Sequence, residues 1–421
     1  MRDLDAVSSS WQKCIVPLAA SWHPIQETIP SSGIEFLSGE FIAKAGEACH
    51  LTRDLLERLT RVARAVEEDH ELRSIIWFLH NAYWPNRREI HMSQWPLPVE
   101  TLEEDAGLFY VLPLLSWIPR LQKIHRDLDI PSDVIRDSVG ELSIRLSEAG
   151  SYFRTHGSPG IDATTMSWLT MIWDGHLYQI GRFQFGIWSH SGVVRAYRNK
   201  ATRSLIALSE DNRIFLPNGL NDGSGGLSGL EGSWAATLEE TDREVIGYPI
   251  TPSGFAVNKK IRLPKNEWPE VFAKGSPTLD FHIPTGPPMD FETCGESFQK
   301  AIAFFRRYFP EEPFVAFECW SWILDPVFPD ILPPDSNLVR FQQELYLYPC
   351  CGGSGNSMPG EVRRDDDGRI TSMEKRFSEY LASGGRFNSG GFFLMIDDFD
   401  WGSQPYRRQK LPWPEVQVMD D

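Results

Sequence analysis

The pattern of apolar residues changes near residue 155, and this change limits what the chain can fold into. Upstream, apolar residues recur at intervals of three and four, as between Leu51 and Val66, which predicts an amphipathic helix over Ala45–Glu68. Downstream, glycines are dense and short alternating runs lie between turns, as at 177–185 and 256–263. The sequence therefore predicts an α+β protein with a mainly helical domain (1–155), an α/β domain (156–405) and a polar tail (406–421).

The charge balance excludes some classes of partner. The chain has 41 basic and 58 acidic residues, a net charge of −17, which argues against a nucleic-acid or anionic-membrane surface. No apolar stretch approaches the roughly 18 residues of a membrane span, and no signal-peptide core follows the charged start, so we expect a cytoplasmic protein. Six cysteines are too few for a disulfide framework. The adjacent pair Cys350 and Cys351 lacks a second pair at zinc-site spacing, so we expect no metal.

One segment is too rich in glycine to form a packed element by itself. Residues 218–232 read NGLNDGSGGLSGLEG, which predicts a solvated loop or a lid. The chain contains no Walker loop, no G-x-G-x-x-G and no G-x-S-x-G in a strand–helix context.

The stretch from Thr278 to Phe305 predicts a strand, a tight turn and a helix. Thr278–Ile283 alternates like a strand, residues 284–288 (PTGPP) form a rigid turn, and Asp290 is placed to cap the helix that follows. Such a geometry points the helix N-terminus at the turn, which suits a phosphate group. Against this, the two adjacent prolines remove donors and Asp290 adds negative charge, so a purely structural turn is the alternative.

Strands and helices go on alternating after this unit. The sequence predicts strands at 314–319, 338–347 and 391–396, a polar hinge at 363–369 and a helix at 373–381. This alternation is typical of a mixed sheet covered by helices.

Several stretches of this region carry a resemblance to a known family. They are Tyr178–Phe185, His282–Pro288, Cys319–Pro326, Ser336–Phe341 and Tyr380–Gly385. In these stretches the chain resembles bacterial acyltransferase-domain proteins, in which a helical N-terminal domain precedes a domain related to the GNAT acyltransferase superfamily. The N-terminal half resembles the family by its helical character.

The resemblance implies a sheet splayed between its central strands, with the thioester of acetyl-CoA or a longer acyl-CoA in the cleft. It implies that the strand ending at His282 contacts the pantetheine, that the helix after Asp290 faces the pyrophosphate, and that Ile283, Thr285 and Gly286 contact the donor. The sequence departs from the superfamily at the turn. A Gln or Arg followed by glycines is usual there, and this chain has Thr-Gly-Pro-Pro instead.

Three candidate catalytic residues lie at the ends of the predicted strands. His282 follows an alternating run, where an imidazole could accept a proton at neutral pH or could simply hold the turn. Cys319 ends the next strand and could accept an acyl group if its thiol were activated, although buried cysteines usually serve as small apolar residues. Glu318 alternates to the opposite side from Cys319.

Four further residues are candidate cofactor contacts. Arg182 could bind a carboxylate or phosphate, or form a structural salt bridge, and Gln184 falls on the same strand face two residues later. Asn337 and Arg340 could contact a cofactor, although Asn337 fits a turn equally well.

The resemblance implies an enzyme that moves an acyl group directly from a thioester to an amine of a small molecule or peptide, and the residues present make His282 the candidate base, with backbone N–H groups holding the oxyanion. Two alternatives stay open: a non-catalytic module that binds a small molecule or peptide in the same cleft, and a hydrolase acting through Cys319. The missing glycine turn favours the binding module, whereas polar side chains converging on the cleft would favour the enzyme.

Overall fold

The computed structural model describes residues 4, 7–86, 89–360, 370–408 and 416–419 of the chain. The chain divides into two compact units. The first comprises Met1–Ile180 together with Pro284–Gly286, and the second comprises Gly181–Ile283 and Pro287–Asp421.

The first unit is built almost entirely of helices packed around one apolar core. Its elements are α1 (Ser9–Ile15), α2 (Ala19–Glu27), α3 (Gly39–Ala48), α4 (Arg53–Glu68), α5 (His70–Ala82), α6 (Val99–Leu102), α7 (Val111–Ser116), α8 (Ile118–Asp127), α9 (Ser132–Leu146), α10 (Ser151–His156), α11 (Ala163–Trp173) and the strand β1 (Leu177–Ile180). Where the amphipathic pattern over Ala45–Glu68 predicts one helix, the structure has two, because Thr52 caps α4 by accepting a hydrogen bond from the backbone of Leu55.

The second unit contains strands and helices in alternation. Its elements are β2 (Phe183–Ser189), β3 (Val194–Arg198), β4 (Leu205–Ser209), β5 (Ile214–Phe215), β6 (Trp234–Ala235), β7 (Leu238–Glu240), β8 (Glu244–Gly247), β9 (Pro249–Ile250), β10 (Ile261–Pro264), β11 (Glu270–Phe272), β12 (Pro277–His282), α12 (Phe291–Tyr308), β13 (Ala316–Ser321), α13 (Phe328–Ile331), α14 (Asn337–Gln343), β14 (Tyr346–Gly355), α15 (Ser372–Ala382), β15 (Phe387–Met395) and β16 (Gln417–Val418). The predicted α+β class, with helices first and a mixed sheet after them, is confirmed.

The central sheet of the second unit has the strand order β2–β12–β13–β15–β14. The β12–β13 pair is parallel, and the other neighbouring pairs are antiparallel. One face of the sheet is covered by phenylalanine side chains packed against α12 and α14. Phe298 of α12 lies at their centre, with ring centroids 4.6 Å from Phe317 of β13 and 5.4 Å from Phe281 of β12. This packing places α12 over the two central strands.

The predicted strand at 338–347 is wrong. Residues Asn337–Gln343 form α14, and β14 begins only at Tyr346. Ser336 caps the helix through the backbone N–H of Val339. The inward residues are spaced by three, as Val339 is from Gln342 and Leu338 is from Phe341. The helical period therefore overrides the short apparent alternation.

The glycine-rich segment 218–232 is not simply a solvated loop. Ser224 is completely buried, and its hydroxyl donates to the carbonyl of Cys350 at 2.7 Å. The backbone N–H of Gly225 donates to the carbonyl of Gly352 at 2.8 Å. The segment is thus docked on β14, where close backbone approach explains the need for glycine.

The compact units have different bounds from the predicted domains. The first unit extends beyond residue 155 to include α11 and β1. In the predicted tail, Tyr406 is buried, β16 pairs with β10, and residues 409–415 and 420–421 lie outside the described residues, as does the predicted hinge at 363–369. None of the described helices is long and apolar enough to cross a membrane.

Asp325 makes the stability of this fold depend on pH. The side chain is completely buried and accepts hydrogen bonds from the backbone of Asn388 at 2.6 Å and of Val327 at 3.1 Å, so it joins the start of β15 to the turn after β13. Burial raises the pKa of Asp325 from its ordinary value of 3.8 to about 6, against the lowering effect of these hydrogen bonds.

We therefore expect the folded state to take up a proton between about pH 4 and pH 6. The stability that this proton contributes is complete below pH 4 and is lost as the pH rises through 6. The unfolding free energy of the wild type minus that of Asp325→Asn should be larger at pH 5 than at pH 7.5 by about 1 kcal/mol. Urea unfolding at the two pH values measures this difference. Asp330→Asn, at an exposed position, is the control. The expectation is contradicted if the unfolding free energies of the wild type and Asp325→Asn differ by the same amount at pH 5 and pH 7.5.

Candidate active site

The two central strands of the second unit separate partway along their length. Parallel pairing between β12 and β13 runs from Thr278 and Ala316 to Asp280 and Glu318. Beyond that pair, β12 goes on pairing with β2 as far as His282, and β13 goes on pairing with β15 as far as Ser321. The backbones of β12 and β13 thus diverge and leave a cleft between them, which we call the splay.

Alternation along the strands gives the sheet two unlike faces around the splay. On one face, Phe281 and Phe317 point towards α12, and we call this the phenylalanine face. The opposite face carries Gln184, Asp280, His282, Glu318 and Trp320 at alternate or paired positions, and we call it the polar face. The site thus has chemically different environments on its two sides.

His282 and Asp280 form a pair on the polar face. His282 Nε2 lies 3.1 Å from Asp280 Oδ2, and both side chains are somewhat more than a quarter exposed. A carboxylate at this distance fixes the orientation of an imidazole, and the exposed part of the ring can meet a second molecule. The pair lies where β12 leaves β13, which places a titratable group beside the cleft.

Glu318 belongs to a buried network on the same face. Its Oε1 atom lies 2.6 Å from His190 Nδ1 and accepts a hydrogen bond from the Tyr348 hydroxyl at 3.0 Å. His190 Nε2 lies 3.0 Å from the carbonyl oxygen of Val194, and because a carbonyl only accepts, this nitrogen must carry a proton. Nδ1, the other ring nitrogen, faces the Glu318 carboxyl group.

His190 and Tyr348 are residues that the sequence analysis missed. His190 lies 128 positions from Glu318 along the chain, and only the fold brings them together. The Tyr348 ring lies against Gly391 of β15, where an added Cβ would come within 2.3 Å of the ring. Glycine at 391 therefore lets Tyr348 lean across β15 towards Glu318. Burial raises the pKa of Tyr348 well above its ordinary value, so the hydroxyl remains a donor.

Cys319 lies on the phenylalanine side of β13, paired with Phe392 of β15. It is buried, and its thiol contacts the backbone carbonyl of Trp320 at 3.5 Å. Burial, with smaller contributions from Asp280 and Glu318, raises the pKa of Cys319 well above its ordinary value. The thiol is therefore in the protonated, weakly nucleophilic form near neutral pH.

The N-terminus of α12 carries both signs of charge. Asp290 caps it, as predicted, by accepting from the backbone N–H of Thr293 at 3.1 Å, and hydrogen bonds from Thr293 hold the pKa of Asp290 below its usual range. The guanidinium of Arg340 lies 3.8 Å from the ring centroid of Phe291, and its Nη2 lies 3.4 Å from Glu292 Oε1. Arg340, from α14, thus supplies positive charge beside the first two residues of α12.

Arg182 and Gln184, two of the predicted cofactor contacts, lie in the interior of the protein. Arg182 is buried and donates from Nε to the carbonyl of Pro287 at 2.9 Å, while its backbone N–H donates to Ser297 Oγ at 2.7 Å. It thereby ties the residues before α12 to the body of the helix. Gln184 is buried on β2 directly opposite His282.

The predicted donor contacts lie around the turn and on α14. Ile283 is half-buried after the end of β12, whereas Thr285 and Gly286 are exposed in the turn that follows. Asn337 is exposed at the first position of α14, three residues before Arg340. Within the described residues, no group of three or more His, Cys, Asp or Glu side chains is arranged to hold a metal ion.

Comparison with solved structures identifies acyltransferases with the same fold. One, solved with decanoyl-CoA, is 16% identical over 93% of this chain and 99% of its own, with a TM-score of 0.57. A second, with decanoyl-CoA and teicoplanin, is 18% identical over 92% and 96%, with a TM-score of 0.56. A mutant acyltransferase with octanoyl-CoA is 17% identical over 92% and 96%, with a TM-score of 0.55. No curated protein sequence gives a significant match.

Family models cover most of the sequence. A model described as an N-acyltransferase N-terminal domain matches residues 40–175, and one described as a GNAT-like C-terminal domain matches residues 177–393. The second match alone spans more than half of the chain, and the resemblance seen in the sequence is confirmed. The chain belongs to the acyltransferase family in which an N-acyltransferase N-terminal domain precedes a GNAT-like C-terminal domain.

Proposed function

We propose that this acyltransferase moves an acyl group from acyl-CoA to a primary amine of a small molecule or peptide by direct attack at the splay. The observation that carries the proposal is the His282–Asp280 pair, which lies on the polar face at the point where β12 leaves β13. The relatives solved with octanoyl-CoA and decanoyl-CoA support a medium-chain donor, and the relative solved with teicoplanin, a glycopeptide, supports a small-molecule acceptor.

In this proposal the donor lies along the diverging part of β12. The backbone around Ile283 holds the pantetheine arm, and the pyrophosphate lies at the start of α12. Since Asp290 already places a carboxylate at that helix start, Arg340 provides the charge that makes phosphate binding favourable, with Asn337 as a neighbouring polar contact. Arg182 acts as a positioning residue, because it holds Pro287 against α12.

The transfer itself requires one base. An amine enters as ammonium, His282 takes its proton, and the free amine attacks the thioester carbonyl. The new C–N bond forms as the carbonyl oxygen becomes an oxyanion, which backbone N–H groups of β12 stabilise. When the C–S bond breaks and the carbonyl reforms, the CoA sulfur leaves as a thiolate and takes up the second proton of the amine nitrogen, while His282 returns the first proton to solvent. Asp280 orients His282, and Gln184 lies beside it on β2. Glu318 acts as a positioning residue, since His190 and Tyr348 occupy its Oε1 atom.

Donor binding is the first test, because the proposed enzyme must bind acyl-CoA in the cleft, whereas a non-catalytic module need not. We expect octanoyl-CoA to raise the melting temperature with increasing dose, since a ligand of the folded state stabilises it by about 2.7 kcal/mol at a hundredfold excess over Kd. Arg340→Gln should weaken octanoyl-CoA binding, measured by calorimetry, at least about tenfold, because a charge-assisted phosphate contact is lost.

Arg307→Gln is the matched control for Arg340. Arg307 also lies over an aromatic ring, 5.1 Å from the centroid of Tyr308, but at the far end of α12. Equal weakening in the two variants, or no binding of octanoyl-CoA by the wild type up to millimolar concentration, would contradict the donor site.

His282 is tested by turnover. His282→Gln should lower kcat at least about a hundredfold and leave the Kd for octanoyl-CoA within a few-fold, because general-base assistance is lost while the donor contacts remain. His176→Gln is the control: His176 forms an equivalent pair with Asp174 (Nδ1–Oδ2, 3.2 Å), which has no role in the proposal. If His282 only holds the turn, its replacement should instead lower the melting temperature and donor affinity together.

The thiol route is tested with Cys319. Cys319→Ala should keep most of the activity, and the wild type given octanoyl-CoA without an amine should form no acyl adduct at Cys319 by mass spectrometry, because the buried thiol stays protonated. The exposed Cys351 is the internal control, since it should be alkylated by iodoacetamide under the same conditions. An octanoyl adduct on Cys319 would establish the covalent route.

A further inference from the structure

Trp320 is the most exposed of the large apolar side chains among the described residues, and it lies at the splay. Its exposure is 74%, compared with 63% for Trp188, the next in order. Burial of so large an apolar side chain against a bound molecule would lower the free energy, and Trp320 lies beside the cleft that the proposed function uses.

The register fixes the position of Trp320 relative to the base. Asp280 pairs with Glu318, so Trp320, two residues further along β13, lies level with His282 on β12 and on the same polar face. Paired parallel strands are about 4.8 Å apart, and β12 and β13 are diverging at this point. His282 and Trp320 therefore occupy neighbouring positions on the polar face, where one small molecule can contact both.

The two faces of the sheet indicate which substrate Trp320 contacts. Helix α12, whose start holds the donor phosphates in the proposed function, packs on the phenylalanine face. Trp320 and the His282–Asp280 pair lie on the opposite, polar face. The amine must reach the thioester carbonyl from a side that the rest of the donor leaves open. The polar face, where the Asp280 carboxylate can attract an ammonium group, is therefore the acceptor side.

We propose that the acceptor is an arylalkyl amine, with an aromatic ring two or three bonds from its primary amino group, and that Trp320 determines this specificity by packing against the ring. This inference rests on the proposed function, since it takes His282 as the point that the amine meets. Indole and aryl rings prefer offset or edge contacts that an alkyl ring cannot reproduce.

The test compares two amines of the same carbon skeleton, 2-phenylethylamine and 2-cyclohexylethylamine, with octanoyl-CoA as donor. The wild type should prefer the phenyl compound in kcat/KM by about 3- to 10-fold, the range expected for an aromatic pair. Trp320→Ala should remove this preference and leave KM for octanoyl-CoA within twofold, and Trp320→Phe should restore it. Trp188→Ala, which removes the other exposed tryptophan of the polar face, should behave like the wild type.

Binding measured without turnover separates this inference from the proposed function. Saturation-transfer NMR of each amine, with CoA present, should show a preference for the phenyl compound that Trp320→Ala abolishes. If the wild type shows that preference but transfers no acyl group, the proposed function fails, whereas the contact between Trp320 and an aromatic amine stands. Equal use of both amines by the wild type, equal losses for both in Trp320→Ala, or a rise confined to the donor KM would overturn the assignment.

Discussion

Parallel pairing between β12 and β13 ends at Asp280 and Glu318, while each strand remains hydrogen-bonded to its other neighbour. The separation is therefore an ordered part of the sheet and not a frayed end. Phe298 of α12 packs on Phe281 and Phe317, one from each diverging strand, so the helix spans the two strands on one side. The other residues of the site take their positions from this arrangement, because they are placed by alternation along strands whose separation is already set.

Local sequence patterns predicted much of this arrangement. The alternation of Thr278–Ile283, the proline-rich turn and the Asp290 cap place His282 at the end of a strand and α12 directly after it, and the structure agrees at each of these positions. Such signals succeed because they depend on side-chain period and on capping, which are properties of a few neighbouring residues. At Ser336–Gln343 local signals conflict, since a cap and a helical period stand against a short alternation, and the helical signals prevail.

Contacts between distant parts of the chain could not be predicted in this way. His190 has no local feature that points to Glu318, and the role of Gly391 becomes visible only when the ring of Tyr348 is placed against it. The docking of residues 218–232 on β14 is a similar case, since glycine content describes the freedom of a segment and not its neighbours. Pairings of this kind depend on sheet order, which a single sequence does not specify.

Because alternate residues of β12 lie on opposite faces of the sheet, the length of this strand is constrained. A single residue inserted into β12 directly after Asp280 would rotate every later side chain of the strand to the other face. An imidazole would then enter the phenylalanine layer, and a phenyl ring would replace it beside the cleft. Strand lengths at the splay are therefore fixed by packing and chemistry together, and length differences between related proteins belong in the connections, above all in the long stretch between β2 and β12.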